Sequence, residues 1–225
     1  MSKVLLDRFL AAVPRAFVKT MLERQLPIYQ QSAALAFSEQ PWTDAEAITL
    51  LPYLRRALWE AEVRRTADAC GLRTFDMAHI GKNSSCVHVR AGSIILTAHY
   101  VDSPNDFVRE AESRKQNAGV NRWLTHYVDN RLLTAPIPNL DERPIYINML
   151  HGAFFPAKKE DGMKVDPTTC FLRFGIPAAD SNQYLAECVW SAQELLLQYA
   201  PAAVAEPIPK SMPDEAKPTI KIKKA

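Results

Sequence analysis

The sequence predicts an α+β fold, with N-terminal helices over about residues 3–70, a mainly antiparallel sheet of four or more strands over about 72–176, and a C-terminal packing helix over about 181–199. Three observations carry this expectation. Apolar residues recur at helical spacing up to Gly71, the period falls to two with β-branched residues from Leu72, and helical spacing returns after Ile176. Nothing between these parts resembles a linker, so residues 1–200 are expected to form a single domain.

In the first third, Leu5, Phe9, Val13, Phe17 and Met21 recur every fourth residue. Pro14, Pro27 and Pro41 are expected to divide the segment into short helices, because proline breaks a helical interior. Thr43 followed by Glu46 has capping-box spacing, and Gly71 supplies a stop. The helix between them is expected to bury Ile48, Leu51, Leu54, Leu58 and Ala61, to kink at Pro52, and to turn Arg55, Arg56, Arg64 and Arg65 toward solvent or a partner.

The clearest strand pair is a hairpin in which Ala91-Gly92 turns Ser85–Arg90 back onto Ser93–Val101. Alternation then puts Val87, Val89, Ile94, Leu96, Ala98 and Tyr100 on an apolar face. Ser84, Cys86, His88, Arg90, Ile95, Thr97 and His99 share the other. Phe107–Val128 reads as a polar helix with Gly119 as a weak point, and strands follow at 145–151 and 169–176. Asp180 and Gln183 are expected to open the last helix, whose stripe is Tyr184, Leu185, Cys188, Val189, Ala192, Leu195, Leu196 and Tyr199. From Pro201 the chain has five prolines, five lysines and no aromatic residue, so residues 201–225 are expected to be a disordered tail.

The 48% hydrophobic and 23% charged content is that of an ordinary globular protein. Cys70, Cys86, Cys170 and Cys188 form no Cys-x-x-Cys pair, which points to reduced thiols. Asp7 and Arg8 interrupt the first ten residues and no stretch has the roughly 18 apolar residues of a membrane span, so a cytoplasmic protein with no membrane partner is expected. Net charge is +2, and the tail alone carries it: five lysines against Glu206, Asp214 and Glu215. The remaining 22 basic and 22 acidic residues balance, which weakens a nucleic-acid role for the body.

The seven glycines are isolated, so no dinucleotide fingerprint or P-loop is present, nor is there a Gly-x-Ser-x-Gly elbow or a His-Glu-x-x-His pair. Cys86, His88 and His99 on the polar hairpin face are the metal-ligand candidates, with His79 just upstream, because thiolate and imidazole are zinc donors. The same Cys86 with either histidine has the residue types of a thiolate and base. His99, Asp102, Glu110 and Lys115 are the catalytic candidates, within a run that also holds Asp106, Glu112 and Arg114. Carboxylates with a lysine are what a magnesium-dependent nuclease uses, although opposite charges at helical spacing equally describe a solvated helix.

Arg109, Arg114, Lys115, Arg122 and Arg131, interleaved with Asn117, Asn121, Trp123, His126 and Tyr127, are candidates for contact with nucleic acid or a partner. Lys221, Lys223 and Lys224 in the tail are further partner-contact candidates. With no site of specific spacing, the leading expectation is a non-enzymatic binding or regulatory protein whose partner is a macromolecule, protein more than nucleic acid. No cofactor is predicted. The alternatives are a metal-dependent hydrolase, a nuclease above all, using a divalent metal near the 85–101 hairpin, and a nucleic-acid-binding protein acting through residues 109–131.

Overall fold

The computed structural model describes residues 2–37, 42–78, 85–109, 111–124, 139, 142–154, 167, 169–179 and 183–199. Three helices come first: α1 (Ser2–Ala12), α2 (Arg15–Phe37) and α3 (Asp44–Ala69). Strands β1 (Arg73–Ala78), β2 (Ser85–Ala91) and β3 (Ile94–Tyr100) follow, then α4 (Glu112–Ala118) with a 3-10 turn at Gly119–Asn121. Strands β4 (Ile145–Phe154), β5 (Thr169–Pro177) and β6 (Tyr184–Ser191) lead to α5 (Ala192–Gln198). The expected α+β class holds, and the six strands line up in sequence order. All neighbours are antiparallel except β3 and β4, which run parallel. Parallel neighbours need a crossover, and α4 lies in the connection between them.

The sheet has two unlike faces. Val87, Val89, Ile94, Leu96, Ile145, Ile147, Met149, Leu172 and Phe174 meet Phe9, Phe17, Met21, Trp59 and Val63 of the first three helices in the main core. Phe9 and Phe174 touch edge to face with centroids 5.1 Å apart. On the other face the sheet presents Cys86, His88, Thr97, His99, Tyr146 and Asn148, with α4 above it.

Local chemistry explains the boundaries. Pro14 separates α1 from α2, but Pro27 sits inside a continuous α2, contrary to the expected break. Pro27 and Glu23, whose carbonyl loses its helical donor, are both exposed, so water can replace that bond. Pro41 lies outside the described residues. The Thr43 capping box is present in both directions. At the far end Gly71 has φ +70°, with its N–H on the Asp68 carbonyl and the Leu72 N–H on that of Ala67, a Schellman stop. The buried stripe of α3 is Ala47, Leu51, Trp59, Val63 and Ala67. The expected stripe was turned by about one position, since Ile48 is 40% exposed and Ala61 is also exposed. The indole of Trp59, 1% exposed, sets the rotation.

The hairpin exists with a shifted turn. Ala91 pairs with Ile94 and His88 with Thr97, so Gly92-Ser93 forms the turn and Gly92 takes φ +58°. The expected register was off by two residues, which leaves every side chain on its expected face. Residues 107–109 are not helical, α4 is one short segment, and the helix tightens to 3-10 geometry at the suspected weak point, Gly119.

The C-terminal helix is present but shorter than expected, because residues 184–191 form β6. Glu187 has φ +59°, and the pairing with β5 shifts register nearby. This irregularity lets Leu185 and Cys188, three apart, both enter the core. Three-residue spacing mimics a helix when a regular strand is assumed. The true helix start is a Ser191–Glu194 capping box. Asp180 and the segment from Pro201 lie outside the described residues.

Candidate functional site

Side chains on the polar hairpin face bond to one another and to α4. Thr97 Oγ1 lies 2.7 Å from His99 Nε2 and 2.5 Å from the Tyr146 hydroxyl, which is 3.2 Å from the same imidazole nitrogen. The Asn117 amide nitrogen approaches His88 Nε2 at 3.2 Å, and Cys86 Sγ lies 3.7 Å from His88 Nδ1. Phe75 of β1 stacks on the His88 ring at 5.1 Å. Asn121 clamps the layer to the sheet, accepting from the Tyr146 N–H and donating to the carbonyls of Tyr146 and Pro177, each at 2.8 Å.

Three groups of this layer, His99, Cys86 and Tyr146, are held in their uncharged forms. Burial first, then the Arg114 guanidinium, holds His99 well below the usual imidazole range. Burial likewise raises the Cys86 thiol, with Glu60 acting in the same direction. A thiol pushed up is poorly suited to serve as a nucleophile. Tyr146 is also raised by burial, so its hydroxyl remains a neutral hydrogen-bonding group.

The predicted catalytic candidates come from different elements. His99 turns into the Thr97–Tyr146 network, whereas Asp102 is exposed and pairs with exposed Arg109 at 3.9 Å. Lys115 is exposed on α4, and Glu110 lies outside the described residues. Cys86, His88 and His99 do share one sheet face, but His88 is engaged by Asn117 and His99 by Thr97 and Tyr146. Among the described residues no three His, Cys, Asp or Glu side chains are grouped to hold a metal ion. All four cysteines are free thiols.

The predicted contact stretch points in more than one direction. Arg114 shares the inner side of α4 with Asn117 and buried Ala118, while Lys115 and Arg122 are exposed. Trp123 is anchored by its indole N–H on the Pro144 carbonyl at 2.9 Å. Arg131, His126, Tyr127, His79, Lys221, Lys223 and Lys224 lie outside the described residues.

Two features escaped sequence reasoning. One is His151, which ends up on the helix-covered face with its ring stacked on Trp59 at 4.0 Å and its Nδ1 3.1 Å from the Tyr29 hydroxyl. Arg55, expected to face outward, instead lies over the Tyr29 ring at 5.1 Å. Burial, then Arg55, pushes His151 down to about 3. The imidazole is therefore neutral throughout the ordinary pH range. A histidine in alternation with Ile145, Ile147 and Met149 was the available signal.

The other is an apolar satellite on the α4 side, away from the main core. Val101, Val108, Leu150 and Phe171 form it, with Tyr184 packed alongside. Phe107 stacks on Tyr184 at 5.5 Å and Phe154 tilts against Phe171 at 5.5 Å. These two outer phenylalanines are 49% and 46% exposed. Arg173 fastens the adjoining loop by donating to the Pro104 carbonyl at 2.5 Å and the Asn105 side-chain oxygen at 3.1 Å.

No family model, curated protein or solved structure matches this chain.

Proposed function

We propose that this chain is a non-enzymatic binding or regulatory protein that engages another macromolecule, a protein rather than a nucleic acid, and that it works in the cytoplasm. The observation that carries this reading is the Phe107–Tyr184–Phe171–Phe154 satellite, whose two outer rings are about half exposed. An apolar patch rimmed by polar residues is a common mark of protein contact. Here the rim includes Asp102, Asn105, Asp106 and Arg173. The lysine-containing segment from Pro201 acts in this reading as a tether to an acidic partner.

The test is crosslinking capture in native cells by the full chain, by Phe107→Ser/Phe154→Ser and by a chain ending at residue 200. A specific protein captured by the full chain, lost from the double variant and weakened by truncation, at unchanged melting temperatures, is the expected result. Equal capture by all three chains, or capture of none by the full chain, overturns the reading.

A further inference from the structure

The polar face of β1 and β2 sets sulfur beside imidazole. Cys86 and His88 alternate along β2 and so share a face, with Cys86 Sγ 3.7 Å from His88 Nδ1. A thiolate sulfur and an imidazole nitrogen bound to one ion, about 2.3 and 2.0 Å from it, stand about 3.5 Å apart at a tetrahedral angle and about 3.7 Å apart at a trigonal one. The observed separation fits two ligands of a single ion.

Met77 offers a third donor. It pairs directly with Cys86 across the two strands, which puts the two side chains on one face with Cβ atoms about 5 Å apart. Met77 is 46% exposed, and its thioether sits on three rotatable bonds that let the sulfur adapt. β1 is the edge of the sheet and Cys86 is only half-buried, so an ion can enter from solvent. The His88 ring is held from two sides. Phe75, its partner in the same pairing, stacks on it with centroids 5.1 Å apart, and Asn117 of α4 meets Nε2 at 3.2 Å. A ligating imidazole commonly has its second ring nitrogen held in this way.

The donor set selects the ion. Asp76 belongs to the opposite face, where it pairs with the core residue Val87 and holds Arg64 at 2.5 Å. Among the described residues no carboxylate groups with Cys86 and His88 to hold a metal. Thiolate, thioether and imidazole without a carboxylate suit a soft ion rather than magnesium, calcium or manganese. Charge narrows the choice, because a monovalent ion on one thiolate is neutral, whereas a divalent ion leaves a net positive charge at a half-buried position.

We propose that Cys86, His88 and Met77 form a three-coordinate site for a soft monovalent metal ion, Cu(I) by its chemistry. On binding, the Cys86 thiol releases its proton to solvent and the sulfur bonds the ion. His88 binds through Nδ1 and carries its proton on Nε2, which donates to the Asn117 carboxamide oxygen once that amide turns over. No electron is transferred. The site lies on β1 and β2, apart from the Phe107–Phe154 patch, and stands without it.

The experiment is anaerobic titration of the full, reduced chain with Cu(I) against bicinchoninate, a chromogenic Cu(I) chelator, with Zn(II) titrated separately. One ion per chain is expected, with one proton released for each ion bound. Cys86→Ser should abolish this binding, and Met77→Leu, at an exposed position, should weaken it by about tenfold or more at unchanged melting temperature. Cys170→Ser, on the helix-covered face, should leave it as it is. If Cys86→Ser fails to fold, the comparison of Met77→Leu with Cys170→Ser decides. Retention of all the copper by the chelator, equal losses in Cys86→Ser and Cys170→Ser, wild-type affinity in Met77→Leu, or tighter binding of zinc than of copper overturns the proposal.

Discussion

The two faces of this sheet spend their residues differently. The face under α1–α3 is a continuous apolar core in which Phe9, Phe17, Met21, Phe174 and Trp59 are almost wholly buried. The face under α4 instead carries a hydrogen-bonded layer of Thr97, His99, Tyr146, His88 and Asn117, with a small apolar satellite at its margin. Burial on the first face stabilises through area and packing, which is insensitive to direction. The second face depends on each polar group finding its partner, so it gives less stability per residue and more geometric definition. The half-exposed rings of Phe107 and Phe154 belong to the second face.

The largest effect expected from breaking this contrast is in the core. Phe174→Ala removes a fully buried ring in contact with Phe9, and should cost about 3–5 kcal/mol, read as a shift in the urea unfolding midpoint at constant slope. On the polar face, Asn121→Ala strands the Tyr146 N–H and two carbonyls, and should cost about 3 kcal/mol. A loss below about 1 kcal/mol, small beside the desolvation penalty of even one unsatisfied group, would mean water replaces the clamp.

Acid should weaken both faces together. His151 is held down to about 3 and His99 well below the ordinary range, so between the unfolded value near 6.5 and their folded values the unfolded chain binds protons that the native chain refuses. Stability is fully present above the unfolded value and falls as pH drops below it, by about 1.4 kcal/mol per pH unit for His151. From pH 6.5 to 5 that is about 2 kcal/mol from His151 alone. Urea melts at intervals across this window measure it, and His151→Gln should remove one proton's worth of slope.

Smaller effects sharpen the contrast. Tyr146→Phe deletes one hydroxyl from the Thr97–His99 triangle and should cost about 1 kcal/mol, much less than the core substitution. Phe107→Ser with Phe154→Ser should move stability least, by about 0.5 kcal/mol or less per site. A large destabilisation there would mark the satellite as a structural core rather than a contact surface.

Legibility followed locality. The Thr43 box, the Gly71 stop, the division of the hairpin into two faces and the strands beginning at Ile145 and Thr169 rest on interactions within a few residues, and were readable. The extent of the last helix was not, because the irregularity at Glu187 gives β6 a spacing that a helix shares. In the candidate site, the residues of the hairpin face were legible, but their partners were not: Tyr146 and Asn117 come from distant segments. Asp102 and Lys115 were close in sequence, but one lies in the loop after β3 and the other on α4.

By itself, then, the sequence determined the α+β class, the run of N-terminal helices before the strands, and the polar character of the Cys86–His88–His99 face, since propensity, capping and alternation act over short range. Only the tertiary structure decided that β3 and β4 run parallel, that His151 stacks under Trp59, and that Asn117 of α4 meets His88 of the hairpin. Those outcomes depend on which distant surfaces pack together, and burial and charge pairing are fixed only once they do.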